Sequence, residues 1–84
     1  MFLHVTSVSY VAPYRLRLQF DDGIVKEVDL SEEPYGQVFE PLKDAEFFGQ
    51  VTLNFETGTI EWPNSADFAP EFLYEIGREV KQVV

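Results

Sequence analysis

Apolar and polar side chains alternate without interruption from position 14 to position 21. This period of two is typical of a half-buried β-strand whose apolar face meets the core. A second strand pattern follows at positions 24–30, after the turn sequence Asp21-Asp22-Gly23, with apolar residues at 24, 25, 28 and 30. The two runs predict a β-hairpin.

The register of this hairpin follows from which residues must share a face. A three-residue loop sets Leu16 opposite Val28. Phe20 then faces Ile24, so opposed residues are apolar on the same side of the sheet. The same loop places Gly23 where a left-handed backbone is needed. We therefore predict this register and not a two-residue turn, which would oppose leucines to acidic residues.

A second hairpin is predicted over residues 51–62, with a two-residue turn at Thr57-Gly58. Four large apolar side chains then share one face as two opposed pairs: Phe55 with Ile60, and Leu53 with Trp62. Large opposed side chains stabilise a sheet through their packing. We expect this face to be the floor of the core.

The remaining pattern predicts one strand and two helices. Residues 2–11 are rich in β-branched and aromatic types and predict an N-terminal strand with mixed faces. Apolar residues spaced around Pro41 predict a short middle helix. After Pro70, apolar residues recur at spacings of three and four as far as Val83 and predict a C-terminal amphipathic helix. Gly77 lies inside that helix at a cost of about 1 kcal/mol relative to alanine.

These elements make an α+β fold: two β-hairpins, an N-terminal strand, a short middle helix and a C-terminal amphipathic helix. A chain of 84 residues, 45% of them apolar, supports one core, so residues 1–84 are expected to be a single domain. It contains no cysteine, which excludes disulfides and thiolate metal sites. The start lacks the pattern of a signal peptide and no apolar run has the length of a membrane span, so we expect a cytoplasmic protein with no membrane partner.

The formal net charge is −9. Such a charge repels phosphate backbones, and this domain alone is not expected to bind nucleic acid directly. Two interpretations of the acidity stay open: it keeps the protein soluble, or it attracts a small basic protein as a partner.

No constellation in the sequence carries recognisable catalytic chemistry. His4 is the only histidine and lies in the first strand, where a structural or surface role is typical. Glu61, Asp67 and Glu71 offer oxygen ligands to a hard cation, but no spacing matches a calcium loop. We therefore predict a protein that is not an enzyme, with no catalytic residues, no cofactor and no metal. A carboxylate-based hydrolase is the least favoured alternative.

Two places are candidates for an interaction surface. Arg15 and Arg17 share the polar face of their strand. This face is either an ordinary solvent-exposed face, or the two arginines contact acidic groups of a partner. The segment containing Trp62, Asn64 and Asp67 is either a structural corner between hairpin and helix or a recognition loop carried by a rigid scaffold.

Four segments resemble a family of small bacterial proteins, domain-of-unknown-function family 2442. They are Phe20-Asp21-Asp22-Gly23, Val28-Asp29-Leu30, Phe39-Glu40-Pro41-Leu42, and the run from Gly58 to Asp67 that contains Ile60, Trp62, Pro63, Asn64 and Ala66. The family usually has glycine where this chain has Ser65. Serine tolerates a left-handed backbone poorly, so this corner is expected to differ in shape.

The resemblance implies an α+β fold and no established activity. Some relatives carry an appended DNA-binding domain, for which 84 residues leave no room, and others accompany a small partner protein in what look like toxin and antitoxin pairs. Our first hypothesis is accordingly a protein-interaction module, antitoxin-like, that binds a basic partner protein. The alternative is a dimerising regulatory or sensor domain whose open edge strands pair as a homodimer.

Overall fold

The computed structural model describes residues 3–31 and 37–80. Within these ranges the elements are, in chain order, β1 (Val5–Ala12), β2 (Arg15–Phe20), β3 (Val25–Asp29), a 3₁₀ helix (Gln37–Lys43), α1 (Ala45–Phe48), β4 (Thr52–Asn54), β5 (Thr59–Glu61), α2 (Pro70–Ile76) and β6 (Arg78–Glu79). Strands β1, β2, β3 and β6 form a four-stranded antiparallel sheet in that order, and β4 pairs with β5. The α+β fold is confirmed.

The β2–β3 hairpin has the predicted register. Leu16 lies opposite Val28, and the N–H of Phe20 donates to the carbonyl of Ile24 at 2.9 Å. Gly23 has φ +86°, the left-handed backbone that its position in the loop requires. The alternation of the sequence therefore fixes this hairpin completely.

A bulge explains the mixed faces of the first strand. Val5 lies opposite Phe20, whereas Val8 lies opposite Leu18 and Tyr10 opposite Leu16, with a register shift between Val5 and Ser7. An extra residue in one strand reverses which positions face inward. The apolar residues on both sides of the bulge therefore share the inner face of the sheet.

The register of the second hairpin differs from our prediction. Leu53 lies opposite Ile60 and Asn54 opposite Thr59, which leaves a four-residue turn over residues 55–58. Phe55 is therefore at the turn, with 84% of its surface exposed, instead of on the core face. The side chain of Asn54 is the physical cause, because its Oδ1 accepts from the N–H of Glu56 at 2.9 Å and closes the turn early.

The C-terminal helix is shorter than the apolar spacing predicts. It ends at Ile76, and Gly77 is extended with φ −73° and ψ 151°. A Cβ at Gly77 would lie 2.9 Å from the Leu73 carbonyl oxygen and 3.0 Å from Cβ of Lys26, so the close packing requires glycine. The chain then continues as β6 along the edge of β3, and Val83 lies outside the described residues.

The core lies between the four-stranded sheet and the other elements. Its largest buried side chains are Trp62, Phe20, Phe48, Leu16, Leu18, Leu30, Leu42, Ile60, Leu73 and Val28.

Lys26 is the charged residue that the register places opposite Leu18. Its Nζ lies 3.7 Å from the ring centre of Tyr74 and donates to the Tyr74 carbonyl at 2.6 Å. This contact covers the end of α2 with a positive charge. None of the helices in the described part of the chain has the length and apolar character that crossing a bilayer requires.

Candidate interaction surfaces

Trp62 is a core residue. Only 1% of its surface is exposed, and its indole N–H donates to the carbonyl of Phe48 at 2.9 Å. The ring packs against Phe48 at 5.7 Å and against Phe68 at 5.9 Å between centres. The side chain of Trp62 is therefore part of the core, because a buried, hydrogen-bonded indole anchors the fold.

The residues after Trp62 form a tight reversal of the chain. The N–H of Ser65 donates to the Trp62 carbonyl at 2.8 Å, and the N–H of Trp62 donates to the Ala66 carbonyl at 3.0 Å. Asn64 accepts from the N–H of Ala66 at 3.1 Å through Oδ1, as its residue type predicts. Ser65 has φ 69°, so it keeps the left-handed backbone that glycine favours. This geometry is that of a three-residue hairpin loop, and it gives the corner a structural role.

Asp67 continues the reversal and does not cap the following helix. It forms an antiparallel bridge with Glu61, and the helix cap is Ala69, which makes no side-chain cap bond. Asn64 and Asp67 are exposed beside the buried Trp62. Within residues 3–31 and 37–80, no three His, Cys, Asp or Glu side chains come together as a metal site, so Glu61, Asp67 and Glu71 do not converge.

Arg15 and Arg17 lie on the outer face of the four-stranded sheet, away from the core. Their guanidinium groups reach the carboxylates of β3: Arg17 lies 3.5 Å from Glu27, and Arg15 lies 3.6 Å from Asp29. About half of each arginine side chain stays exposed, at 55% and 49%. Exposed ion pairs of this length contribute little to stability.

The outer face gathers all three arginines of the chain. Arg78 in β6 lies opposite Glu27, so it flanks the carboxylates of β3 on the side away from β2. A groove of about 430 Å³ opens between these strands and the end of α2. Its lining comprises Arg15, Glu27, Asp29, Ile76, Arg78 and Val80. The sequence did not reveal this cluster, because β6 was expected to be helical.

The pKa of Asp29 lies below its usual value of 3.8. The main cause is the N–H of Ser31, which donates to Oδ1 of Asp29 at 2.9 Å; the charge of Arg15 lowers the pKa further. Hydrogen bonds to the ionised form of a carboxyl favour that form. The ionised form of Asp29 is therefore favoured on this face.

The tip of the β4–β5 hairpin, residues 54–58, presents the most exposed large apolar side chain in the described part of the chain. Phe55 is 84% exposed there. The turn is held rigidly, because the Asn54 carbonyl accepts from the N–H of Gly58 at 2.8 Å while its side chain accepts from Glu56. The apolar pattern predicted Phe55 to be in the core and so did not indicate this site. The signal that could have found it is Asn54, three residues before Thr57-Gly58.

The hairpin tip is fastened to the start of β1. Gly58 accepts from the N–H of Val5 at 2.7 Å, and its φ of +72° brings its backbone against the ring of His4. His4 in turn lies 3.1 Å from Asp21, Nδ1 to Oδ2. This hydrogen bond is the main reason that the pKa of Asp21 is below its usual 3.8. The tip is thus joined to the four-stranded sheet through backbone and side-chain contacts.

Carboxylates surround the hairpin tip. Glu56 is within it, Glu61 accepts from the side-chain amide of Asn54 at 3.1 Å, and Asp21 is linked to it through His4. Positions 44–77 contain seven acidic residues and no lysine or arginine. The exposed aromatic ring thus belongs to a part of the chain whose charged side chains are all acidic, a composition suited to a partner with a basic surface.

Comparison with known proteins gives a family and no activity. No curated protein and no solved structure matches the chain. A family model described as a protein of unknown function, DUF2442, matches residues 5–79, which is nearly the whole chain. The chain therefore belongs to the DUF2442 family.

Proposed function

We propose that this domain is a protein-interaction module that binds a basic partner protein through the hairpin tip. The observation that supports it most is Phe55, an aromatic side chain 84% exposed on a turn held by Asn54. An aromatic side chain on a hydrogen-bonded turn has few rotatable bonds to order when it enters a partner's pocket, and aromatic residues, phenylalanine included, are enriched at protein interfaces.

The charges near the hairpin tip favour a basic partner. Glu56 lies in the tip and Glu61 bonds the Asn54 side chain beside it, while the chain as a whole carries −9. Charges at the rim of an interface steer the encounter and select partners of opposite sign. The biological role proposed is antitoxin-like: the domain would bind a small basic toxin-like protein. The proposed compartment is the cytoplasm, which suits a chain without cysteine.

The test begins with affinity purification of the tagged protein from its own cells at low salt, with mass spectrometry of whatever co-elutes. The proposal expects one small protein rich in Lys and Arg in stoichiometric amount, released as salt rises. The affinity of that purified protein is then measured for the wild type, Phe55→Ala and Val11→Ala. Val11 is a matched control, because it is another exposed apolar residue, 43% exposed, on a different element.

Phe55→Ala is expected to weaken binding by about 2 kcal/mol, roughly 30-fold, the loss typical of an anchoring aromatic residue. Val11→Ala should leave the affinity unchanged. Recovery of no basic protein, or equal affinity for the wild type and Phe55→Ala, would refute the proposal.

A further inference from the structure

Strand β1 leaves a long edge of the four-stranded sheet open. It is an outer strand of eight residues, Val5–Ala12, whereas the outer strand on the other side, β6, has two. The second hairpin lies near this strand, and its tip bonds the start of the edge, where Gly58 accepts from the N–H of Val5. An edge strand presents backbone N–H and C=O groups that can pair with another strand.

The hydrogen bonds of β2 show which of its backbone groups face β1. Phe20 donates to Ile24 at 2.9 Å, and the Tyr14 carbonyl accepts from Leu30 at 2.7 Å. Neighbouring residues of a strand direct their backbone groups to opposite sides. The even positions of β2 therefore bond β3, and the odd positions bond β1.

The same alternation identifies the free groups of β1. Ser7 and Ser9 lie opposite odd positions of β2, so their backbone groups point into the sheet. Val8 and Tyr10 then direct their N–H and C=O groups toward the open edge. Register shifts lie at both ends of this stretch, between Val5 and Ser7 and between Tyr10 and Ala12. Residues 7–10 are thus a regular strand segment with two residues ready to pair.

This strand lacks charge in a highly charged protein. Positions 5–14 contain no charged residue, although a quarter of the chain is charged. Natural edge strands are commonly protected by a lysine, a proline or a bulge, and residues 7–10 of β1, between its two register shifts, have none of these. Tyr10 and Val11 are also exposed, at 48% and 43%.

We propose that β1 pairs with β1 of a second copy, antiparallel about a two-fold axis at Ser9. Val8 of one copy then faces Tyr10 of the other, an aliphatic–aromatic pair on the same face, and both residues form the ladder bonds. A second copy is the occupant because the stretch is complementary to itself in this register and carries no charge, so the axis opposes no like charges although each chain carries −9. The inference is independent of the proposed function.

The test is sedimentation velocity of the purified full chain up to about 1 mM, a range that detects dissociation constants of that order. Ser9 faces Ser9 across the axis, so Ser9→Lys or Ser9→Glu alone opposes like charges. Each is expected to raise the dimer dissociation constant about fivefold. An equimolar mixture of the two variants should restore dimerisation as a heterodimer. Ser31→Lys and Ser31→Glu, at an exposed serine after β3 and away from the β1 edge, are matched controls that carry the same charge changes.

Hydrogen exchange gives a second readout that does not depend on variants. The amides of Val8 and Tyr10 should exchange more slowly as the wild-type concentration rises. A wild type that stays monomeric at about 1 mM would overturn the proposal. So would a dimer that Ser9→Lys and Ser9→Glu leave unchanged, once circular dichroism shows that both variants are folded.

Discussion

Ser65 holds a backbone conformation that costs an L-residue free energy. Its φ is 69°, and the corner is closed by the bond from its N–H to the Trp62 carbonyl. The left-handed conformation costs roughly 1–2 kcal/mol for a residue with a Cβ, and glycine avoids that cost. Serine therefore holds the left-handed geometry at this corner in spite of that cost.

Ser65→Gly is therefore expected to stabilise the protein. The gain should be about 0.5–1 kcal/mol, because glycine removes the strain but makes the unfolded chain more flexible. Urea denaturation measures the free energy of unfolding, and Ser65→Ala, which keeps the Cβ, should show no gain. A less stable Ser65→Gly variant would contradict this account of the corner.

Asp21 and His4 form a hydrogen-bonded pair whose effect on pKa can be measured. The pKa of Asp21 is lowered from 3.8, chiefly by the His4 side chain. A carboxyl with a lowered pKa in the folded state stabilises the fold above its unfolded pKa. That contribution is lost as the pH falls through the folded pKa.

His4→Ala is expected to raise the pKa of Asp21 toward 3.8 and to remove this part of the acid sensitivity. Carbon-detected NMR titration of the side-chain carboxyl measures it. Asp29 is the internal control, because the Ser31 N–H lowers its pKa and the variant leaves that bond intact. An unchanged pKa for Asp21 would show that the pair does not persist in solution.

At the scale of elements, the two hairpin loops use glycine for different reasons. Gly23 has φ +86° with open space around it, whereas a Cβ at Gly58 would meet the His4 ring at 2.1 Å. Gly23→Ala should therefore cost only the left-handed conformation, about 1 kcal/mol. Gly58→Ala should cost about 2–4 kcal/mol, because displacement of the ring is added.

Urea denaturation measures the free energy of unfolding of both variants and of the double variant His4→Ala/Gly58→Ala. The comparison separates the cost of the left-handed conformation from the cost of displacing the His4 ring. Removing the ring should recover part of the Gly58→Ala loss. Equal losses for Gly23→Ala and Gly58→Ala would contradict the close packing of the hairpin tip against β1.

The register of the second hairpin makes a separate prediction about stability. Ile60 is fully buried and Phe55 is 84% exposed. Ile60→Ala should cost about 2–5 kcal/mol, and Phe55→Ala less than about 0.5 kcal/mol. Thermal or urea unfolding distinguishes this register from one with a turn at Thr57-Gly58, in which Phe55→Ala would cost about 3–5 kcal/mol.

The elements differ in how far their sequence determines them. The β2–β3 hairpin could be predicted to the residue, because six alternating positions and one glycine admit one register. The strands of the second hairpin have three residues each, so one side chain, Asn54, decides the turn. The C-terminal spacing suits a helix, and only the contact of Gly77 with Lys26 reveals why it stops.

At the scale of the whole molecule, the arginines are grouped. All three lie on the outer face of the four-stranded sheet, among the carboxylates of β3, whereas every charged residue at positions 44–77 is acidic. Arg15 and Arg17 were identifiable from the sequence as residues of one polar face. Their grouping with Arg78 was not, because it depends on β6 returning to β3.

The same folding explains which candidate site residues the sequence could identify. The Trp62 corner was recognisable as a motif, but its structural role depends on the carbonyl of Phe48, which no local pattern places beside it. Phe55 was assigned to the core because it is aromatic and in phase with Leu53. Its exposure follows from the turn alone.

The central claim is that the hairpin tip contacts a basic partner protein, and photo-crosslinking in the source cells tests it most directly. Phe55 is replaced by the photoreactive p-benzoylphenylalanine, with Glu40, exposed on the 3₁₀ helix, as the control position. The account predicts that light joins position 55, and not position 40, to one small protein rich in lysine and arginine. A crosslink at position 55 only to acidic or unrelated proteins, or equal crosslinking at both positions, would contradict it.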